Sequence, residues 1–518
     1  MEADALPGAP EARRRGRRAK AETAAPRRVA DYRRVRNTLA FAEPFSADQI
    51  AAIHDASLRV LEELGVKVLL EEAREIFRAA GCKVDDAAEM VHIERGMVAQ
   101  ALKDAPSRFV VKAGAPERDL HLGGRDVIFG PGAGCPNVTD FDRGRRPGSY
   151  EAFVETTKLQ QCFDVIQKLG PSSEPQDVPL NLRHYATMRA QLTLSDKVPW
   201  LYSRGPAQVA EGFEIMRLMR GLSEDEFLAT PCISTVVNTN SPRQIDRPMS
   251  KGIIDFARAG QLNVITPFCL SGAMAPITIP GALTLSHAEA MAGITLAQIV
   301  RPGAPVVYGA FSSNVDMKSG APAFGTPEHL KTNFGAGQLA RLIDLPWRSG
   351  GGTAASTPDV QAAYETQLSV WGALLGGANF IYHSAGWLEG GLTFSYEKFI
   401  TDIEALQTIA ETMLPVPTED DDIGFDAIAE VEPGGHFFAA SQTMRRYSTQ
   451  FYEPFVSDWS NYGQWSESGA RSATDRAHEI WRKRLAEYEP PTVDEDRLAA
   501  VDEYIAKRTE AGGAPIMD

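Results

Sequence analysis

The 518 residues carry a formal net charge of −15 and 43% hydrophobic side chains, enough for a large core and without the basic surplus of a nucleic-acid or anionic-membrane binder. The five cysteines, Cys82, Cys135, Cys162, Cys232 and Cys269, lie far apart with no CxxC pair, which excludes a readable disulfide framework or zinc cluster. No apolar run is long enough to span a bilayer, and the N-terminus has no secretory apolar core, so a cytoplasmic protein is expected.

Residues 1–40 hold the stretch "EARRRGRRAKAETAAPRRVADYRRVRN". It reads either as a solvated, disordered tail or as a segment that docks on an acidic partner protein. Residues 41–125 begin with "SADQIAAIHDASLRVLEELGV", where apolar positions recur at helical spacing behind a Ser46 cap, and a helical prelude is expected there.

From 126 to 414 short apolar or β-branched runs alternate with amphipathic helices. The runs are "DVIFGPGAG" (126–134), "FDVIQKLGPSS" (163–173), "VPWLYSRG" (198–205), "TPCISTVVN" (230–238), "LNVITPFCLSG" (262–272), "PVVYGAFSS" (305–313), "LPWRSGGGT" (345–353) and "ANFIYHSAG" (378–386). Eight such units predict an α/β fold, a (β/α)8 TIM barrel with its site at the carboxyl ends of the strands. Three helix starts carry an oxygen acceptor followed by proline: Ser241-Pro242, Thr326-Pro327 and Thr357-Pro358-Asp359. "GPGAGCP" has the wrong spacing for a dinucleotide-binding loop. Residues 415–518 break the repeat and are expected to form a largely helical extension packed on the barrel.

Gly350, Gly351 and Gly352 end the seventh run. Three glycines there either make a turn that needs positive φ or leave floor space for a ligand. Beside them stand Trp347 and Arg348, and the neighbouring strand end offers Tyr382, His383, Trp387 and Glu389 close together.

"PWRSGGGTAASTPDVQAAYE" and "GANFIYHSAGWLEGGLTFSYEKFITD" resemble the trimethylamine methyltransferase family. So do "AIHDASLRVLEELGV", "SGAMAPITIPGALTLSHAEAMAGITLAQIVRPGAPVVYG" and "GTPEHLKTNFGAGQLARLIDLP". The resemblance covers about residues 40–510 and implies transfer of a methyl group from a methylated amine to the cobalt of a corrinoid (cobalamin) protein. The archaeal members carry pyrrolysine in the segment matching 347–361, where this chain has Gly352. The wording "HSAGWLEGG" is similar to the non-pyrrolysine branch, whose substrates are quaternary amines such as glycine betaine. The resemblance thus implies a partner protein that brings the corrinoid, and neither a tightly bound cofactor nor a metal in this chain. A corrinoid-dependent demethylase of a tertiary amine or sulfonium compound, and a quaternary-amine binding protein without catalysis, remain as alternatives.

A quaternary ammonium departs as a neutral amine and needs no proton, so no catalytic acid is assigned. Aromatic faces hold such a cation. The candidates at strand ends are Phe129, Tyr202, Tyr308, Phe311, Trp347 and Tyr382, residue types that a buried barrel strand also carries as core. A betaine carboxylate calls for an arginine fork or a histidine, and Arg348 and His383 match positions that the betaine branch uses near its substrate. Glu365 and Glu397 belong to the same motifs and read equally well as helix-cap carboxylates. His287 and Glu289 lack a third ligand for a metal. A homo-oligomer is the expectation for an enzyme of this size.

Overall fold

A computed structural model describes residues 30–517. Most of the arginine-rich tail lies outside them. The boundary at 40 moves, because Val35–Arg36 is a short strand antiparallel to Asp126 and Val127, held by the Arg34–Asp126 ion pair.

Six of the eight runs form regular strands: β1 (Asp126–Phe129), β2 (Ser234–Val237), β3 (Leu262–Ile265), β4 (Val306–Gly309), β5 (Trp347–Gly350) and β6 (Phe380–Tyr382). They pair in parallel in the order β2, β3, β4, β5, β6, β1. Runs 163–173 and 198–205 depart from the expected eight-stranded barrel, since neither forms a ladder. They are joined by single bridges, Lys168 to Val198 and Trp200 to Ser234, and the Gln167 N–H donates to the Phe129 carbonyl at 3.1 Å. The physical reason lies in "LGPSS" and "VPWLY": Pro171 and Pro199 have no N–H to give a ladder.

Strand alternation sorts side chains between two cores. Ile128, Val236, Val264, Val307, Phe380 and Tyr382 share an inner cluster with Trp200, whereas Phe129, Tyr308 and Trp347 belong to the outer cluster under the helices. The inner cluster also takes in Val111, Leu120 and Leu122 from the hairpin Phe109–Val111 and Leu120–Leu122. That hairpin is anchored by Lys112 N–H to the Pro231 carbonyl and Gly114 N–H to the Asp196 carbonyl, just ahead of the strand runs. It fills the end opposite the expected site.

Of the three cap signals, Thr326 caps helix Pro327–Leu342 as read. The other two starts shift downstream, to Asp246 before Arg247–Arg258 and Asp359 before Val360–Gly376, where a carboxylate accepts the first free N–H groups. The prelude has its Ser46 capping box on Ala47–Arg59, but it is not wholly helical. Val66–Val68, Met90–His92 and Lys83–Asp85 form a small sheet that Gln244–Ile245 joins.

The expected extension divides. Pro415–Glu453 is a compact unit of short helices in which Arg445 and Arg446 pair with Asp421 and Asp422. Pro454–Asp518 belongs to the main unit. Its helix Ala473–Ala486 packs on Tyr396–Thr412, and Glu495–Glu510 packs on Pro206–Arg220. Glu397 is the clasp for the first of these, accepting from Phe141 N (3.1 Å), His478 Nδ1 (2.8 Å) and Trp481 Nε1 (3.0 Å). That makes Glu397 structural.

Candidate functional site

At the carboxyl ends of the strands lies a cavity of about 470 Å³. Six aromatic side chains line it: Trp200, Tyr202, Phe268, Phe311, Tyr382 and Trp387. Trp200 meets Tyr382 edge to face at 5.5 Å, and Phe311 stacks between Phe268 and Phe324 at 5.5 and 5.4 Å. Such packing fixes ring orientation as well as burying area.

The polar part of the wall contains two arginines and no acidic side chain: Arg204 and Arg348, with His383, Ser203 and Asn238. On β5 the alternation sends Arg348 inward, while Ser349 donates outward to Asn333 Oδ1 at 2.8 Å. Arg348 is 3% exposed, its Nη2 lies 2.9 Å from His383 Nε2, and its guanidinium sits 4.9 Å from the Phe311 centroid. Its Nε has no hydrogen-bond partner, and among the described residues no carboxylate pairs with it. Burial pulls its pKa down from 12.5 to about 9. An unpaired buried charge is costly, by several kcal/mol per ion.

His383 has a left-handed φ of 57°, unusual for a side chain with a Cβ. It stacks on Trp387 at 4.6 Å, and burial and then Arg348 keep its pKa well below the ordinary value, so the ring is neutral. Both ring nitrogens face donors, Arg348 Nη2 and the Ala133 N–H at 3.3 Å. A neutral imidazole accepts at one nitrogen only, so one contact sets N–H against N–H. Arg348 and His383 together therefore present donors that lack an acceptor. Arg204, at the far wall, is already paired with Glu174 at 2.7 Å and lies over the Tyr202 ring at 4.1 Å.

Tyr382, Arg348 and His383 thus come together as read from the sequence. Trp347, Tyr308 and Phe129 are corrected: they sit on the outward faces of β5, β4 and β1. Trp347 packs against Gly376, and the Tyr308 hydroxyl lies 3.0 Å from His287 Nδ1.

The three glycines are buried and outside the cavity lining. None has positive φ, so the turn reading is corrected along with the open floor. A Cβ at Gly350 would lie 2.7 Å from Phe311, at Gly351 2.8 Å from Val370, and at Gly352 2.7 Å from Trp387. The missing side chains let the aromatic wall rest directly on backbone. Gly352→Leu is therefore expected to displace Trp387 and lower stability by about 1–3 kcal/mol, measured by denaturant unfolding. Glu365 holds the loop that follows, accepting from Thr353 Oγ1 at 2.5 Å and Ala354 N at 2.9 Å.

Trp387, read beside Tyr382 and His383, lines the cavity, whereas Trp200, Phe268 and Arg204 line it without being read from the sequence as site residues. Trp200 and Tyr202 stand two apart in "VPWLYSRG", the spacing that puts two side chains on one face of an extended run, and that was the available signal.

A family model described as trimethylamine methyltransferase (MTTB) matches residues 13–513. The chain belongs to the trimethylamine methyltransferase family. It is therefore a methyltransferase. It is 34% identical to a glycine betaine methyltransferase of Desulfitobacterium hafniense over 90% of this chain and 97% of that one. It is 30% identical to a trimethylamine methyltransferase of Methanosarcina barkeri over 90% and 95% of the two chains. Among solved structures it is similar to the monomethylamine methyltransferase of Methanosarcina barkeri at a TM-score of 0.47 and 11% identity, covering 86% of this chain and 93% of that one.

Proposed function

We propose that this methyltransferase takes a methyl group from a quaternary amine that also carries a carboxylate, glycine betaine being the prototype, and passes it to the cobalt of a corrinoid held by a partner protein. The observation that carries this reading is Arg348: a buried guanidinium on the cavity wall with no carboxylate of its own, beside aromatic rings. A ligand carboxylate would satisfy Arg348 and the His383 N–H in charge-assisted hydrogen bonds, while the trimethylammonium lies against aromatic faces worth about 0.5–2 kcal/mol each. The cavity volume falls in the range of small-molecule sites, roughly 300–1,000 Å³.

The absence of acidic side chains from the lining suits this chemistry. No carboxylate competes for Arg348, and none is needed as an acid, because the leaving group is a neutral tertiary amine. The corrinoid is the methyl acceptor and supplies the nucleophile. What this chain supplies is position and desolvation: aromatic walls exclude water and the Arg348–His383 end fixes which methyl group faces the mouth. No helix among the described residues is long and apolar enough to cross a membrane, and a cytoplasmic enzyme is part of this reading.

The test is methylcobalamin formation from cob(I)alamin across glycine betaine, other betaines, tetramethylammonium, trimethylamine and a sulfonium analogue of betaine. Glycine betaine or another carboxylate-bearing quaternary amine should lead. Turnover led by trimethylamine would overturn the substrate class, and turnover of none would overturn the reaction.

A further inference from the structure

Lys168 lies in the run between Phe163 and Ser173 and is 1% exposed. Its Nζ donates to the Leu169 carbonyl at 3.1 Å and the Tyr382 hydroxyl at 3.2 Å. It stands 5.1 Å from the centroid of Trp200 and 5.6 Å from that of Tyr382. No carboxylate contributes to its environment. Trp200 and Tyr382 line the cavity, whereas Lys168 does not. The amine is thus placed behind the aromatic wall against which the substrate cation would lie. Lys197, also buried, differs: its Nζ donates to the backbone carbonyls of Gln160 and Phe163.

We infer that Lys168 sets, from behind, how strongly this wall holds a cation: protonated, it weakens quaternary-amine binding, and neutral, it permits it. The inference rests on the proposed function. A ring whose negative face already serves one cation has less to offer a second, and the two like charges would repel across the ring. At separations near 10 Å and an effective dielectric of about 20 that repulsion corresponds to roughly a 10-fold change in affinity. Lys168 has two oxygen acceptors, the Leu169 carbonyl and the Tyr382 hydroxyl, and the Trp200 ring around it, a setting that a neutral amine fills without a counter-ion.

Burial lowers the Lys168 pKa from 10.5 to about 7. Lys197, on the adjoining run but with its Nζ turned to the Gln160 and Phe163 carbonyls, is also lowered by burial to about 7, and the other groups around Lys168 do not titrate there. Tyr202 and Tyr382 are pushed up by burial, His383 is held far down, Arg204 stays paired with Glu174, and Arg348 is lowered only to about 9. For a base with a lowered pKa the charged form gains as pH falls. Binding should therefore weaken as pH drops through about 7. Neither the quaternary ammonium nor the carboxylate of a betaine titrates in that window.

The test is calorimetric affinity of the full chain for glycine betaine and, separately, tetramethylammonium from pH 6 to 8.5. Wild type should lose roughly 10-fold in affinity for both ligands towards pH 6. Lys168→Met should abolish the slope, and Lys168→Gln, which keeps a donor to Tyr382, should abolish it too. A flat wild-type profile, or a slope that persists in both variants, overturns the inference while leaving the proposed function standing. Failure of wild type to bind either ligand at any pH overturns the proposed function, and this inference with it. Thermal unfolding of each variant shows whether the fold is retained, and Lys168→Gln decides if Lys168→Met unfolds.

Discussion

Arg348→Ala is expected to lower kcat/KM for glycine betaine by roughly 10-fold to 150-fold, the equivalent of one lost charge-assisted carboxylate contact of about 1.5–3 kcal/mol. The loss should appear mainly in KM, because the guanidinium meets a part of the substrate that is unchanged in the reaction. Tetramethylammonium, which has no carboxylate, should be used nearly as well as before or slightly better, since a like charge has been removed from the wall. The substitution also removes a buried cation that has no anionic partner among the described residues. Its effect on stability should therefore be small or favourable. Methylcobalamin formation with the two substrates, beside a thermal melt, checks all three statements. Equal losses for both substrates would take Arg348 out of carboxylate recognition.

Trp387→Ala is expected to have the largest effect on stability, about 3–5 kcal/mol, with loss of betaine turnover. The indole is stacked on His383 at 4.6 Å and meets Phe324 at 5.2 Å and Phe311 at 5.9 Å. Backbone closes on it too: Cβ atoms at Gly132, Gly352 and Gly391 would each come within 3.2 Å of Trp387. A ring held on so many sides has no neighbour free to fill the space it vacates. Without the stack, His383 loses the surface that orients it towards Arg348, so activity should fall even at temperatures where the variant is folded. Urea unfolding gives the first quantity, and turnover well below the variant's melting temperature gives the second. A phenylalanine at the same position should restore part of both.

The runs of 163–173 and 198–205 show where sequence reading reached and where it stopped. Their apolar content and spacing marked them as units of the repeat, and both do occupy the expected places between β1 and β2. The prolines that deny them a ladder were visible, but a single proline is compatible with a strand edge, so the pattern alone does not decide. The site was legible to the level of motifs: Arg348, Tyr382 and His383 do converge. The direction of each side chain was not legible. Strands of a parallel sheet are buried on both faces, so an aromatic that faces helices and one that faces the cavity look alike in the sequence. Trp347 and Arg348 are neighbours with opposite fates for that reason. The glycine triplet marked the right place on the wrong grounds, because only the fold shows that the space it leaves belongs to Phe311, Val370 and Trp387.

The hairpin Phe109–Val111 and Leu120–Leu122 stoppers the far end of the strands. With that end filled, the proposed amine and its methyl acceptor would both reach the cavity from the carboxyl ends of the strands. On the proposed function the amine would be seated first, the acceptor protein would arrive over it, and the demethylated amine would stay captive until the acceptor lifts away. An abundant acceptor would in that case act as a lid on the empty enzyme, slowing the very cycle in which it takes part.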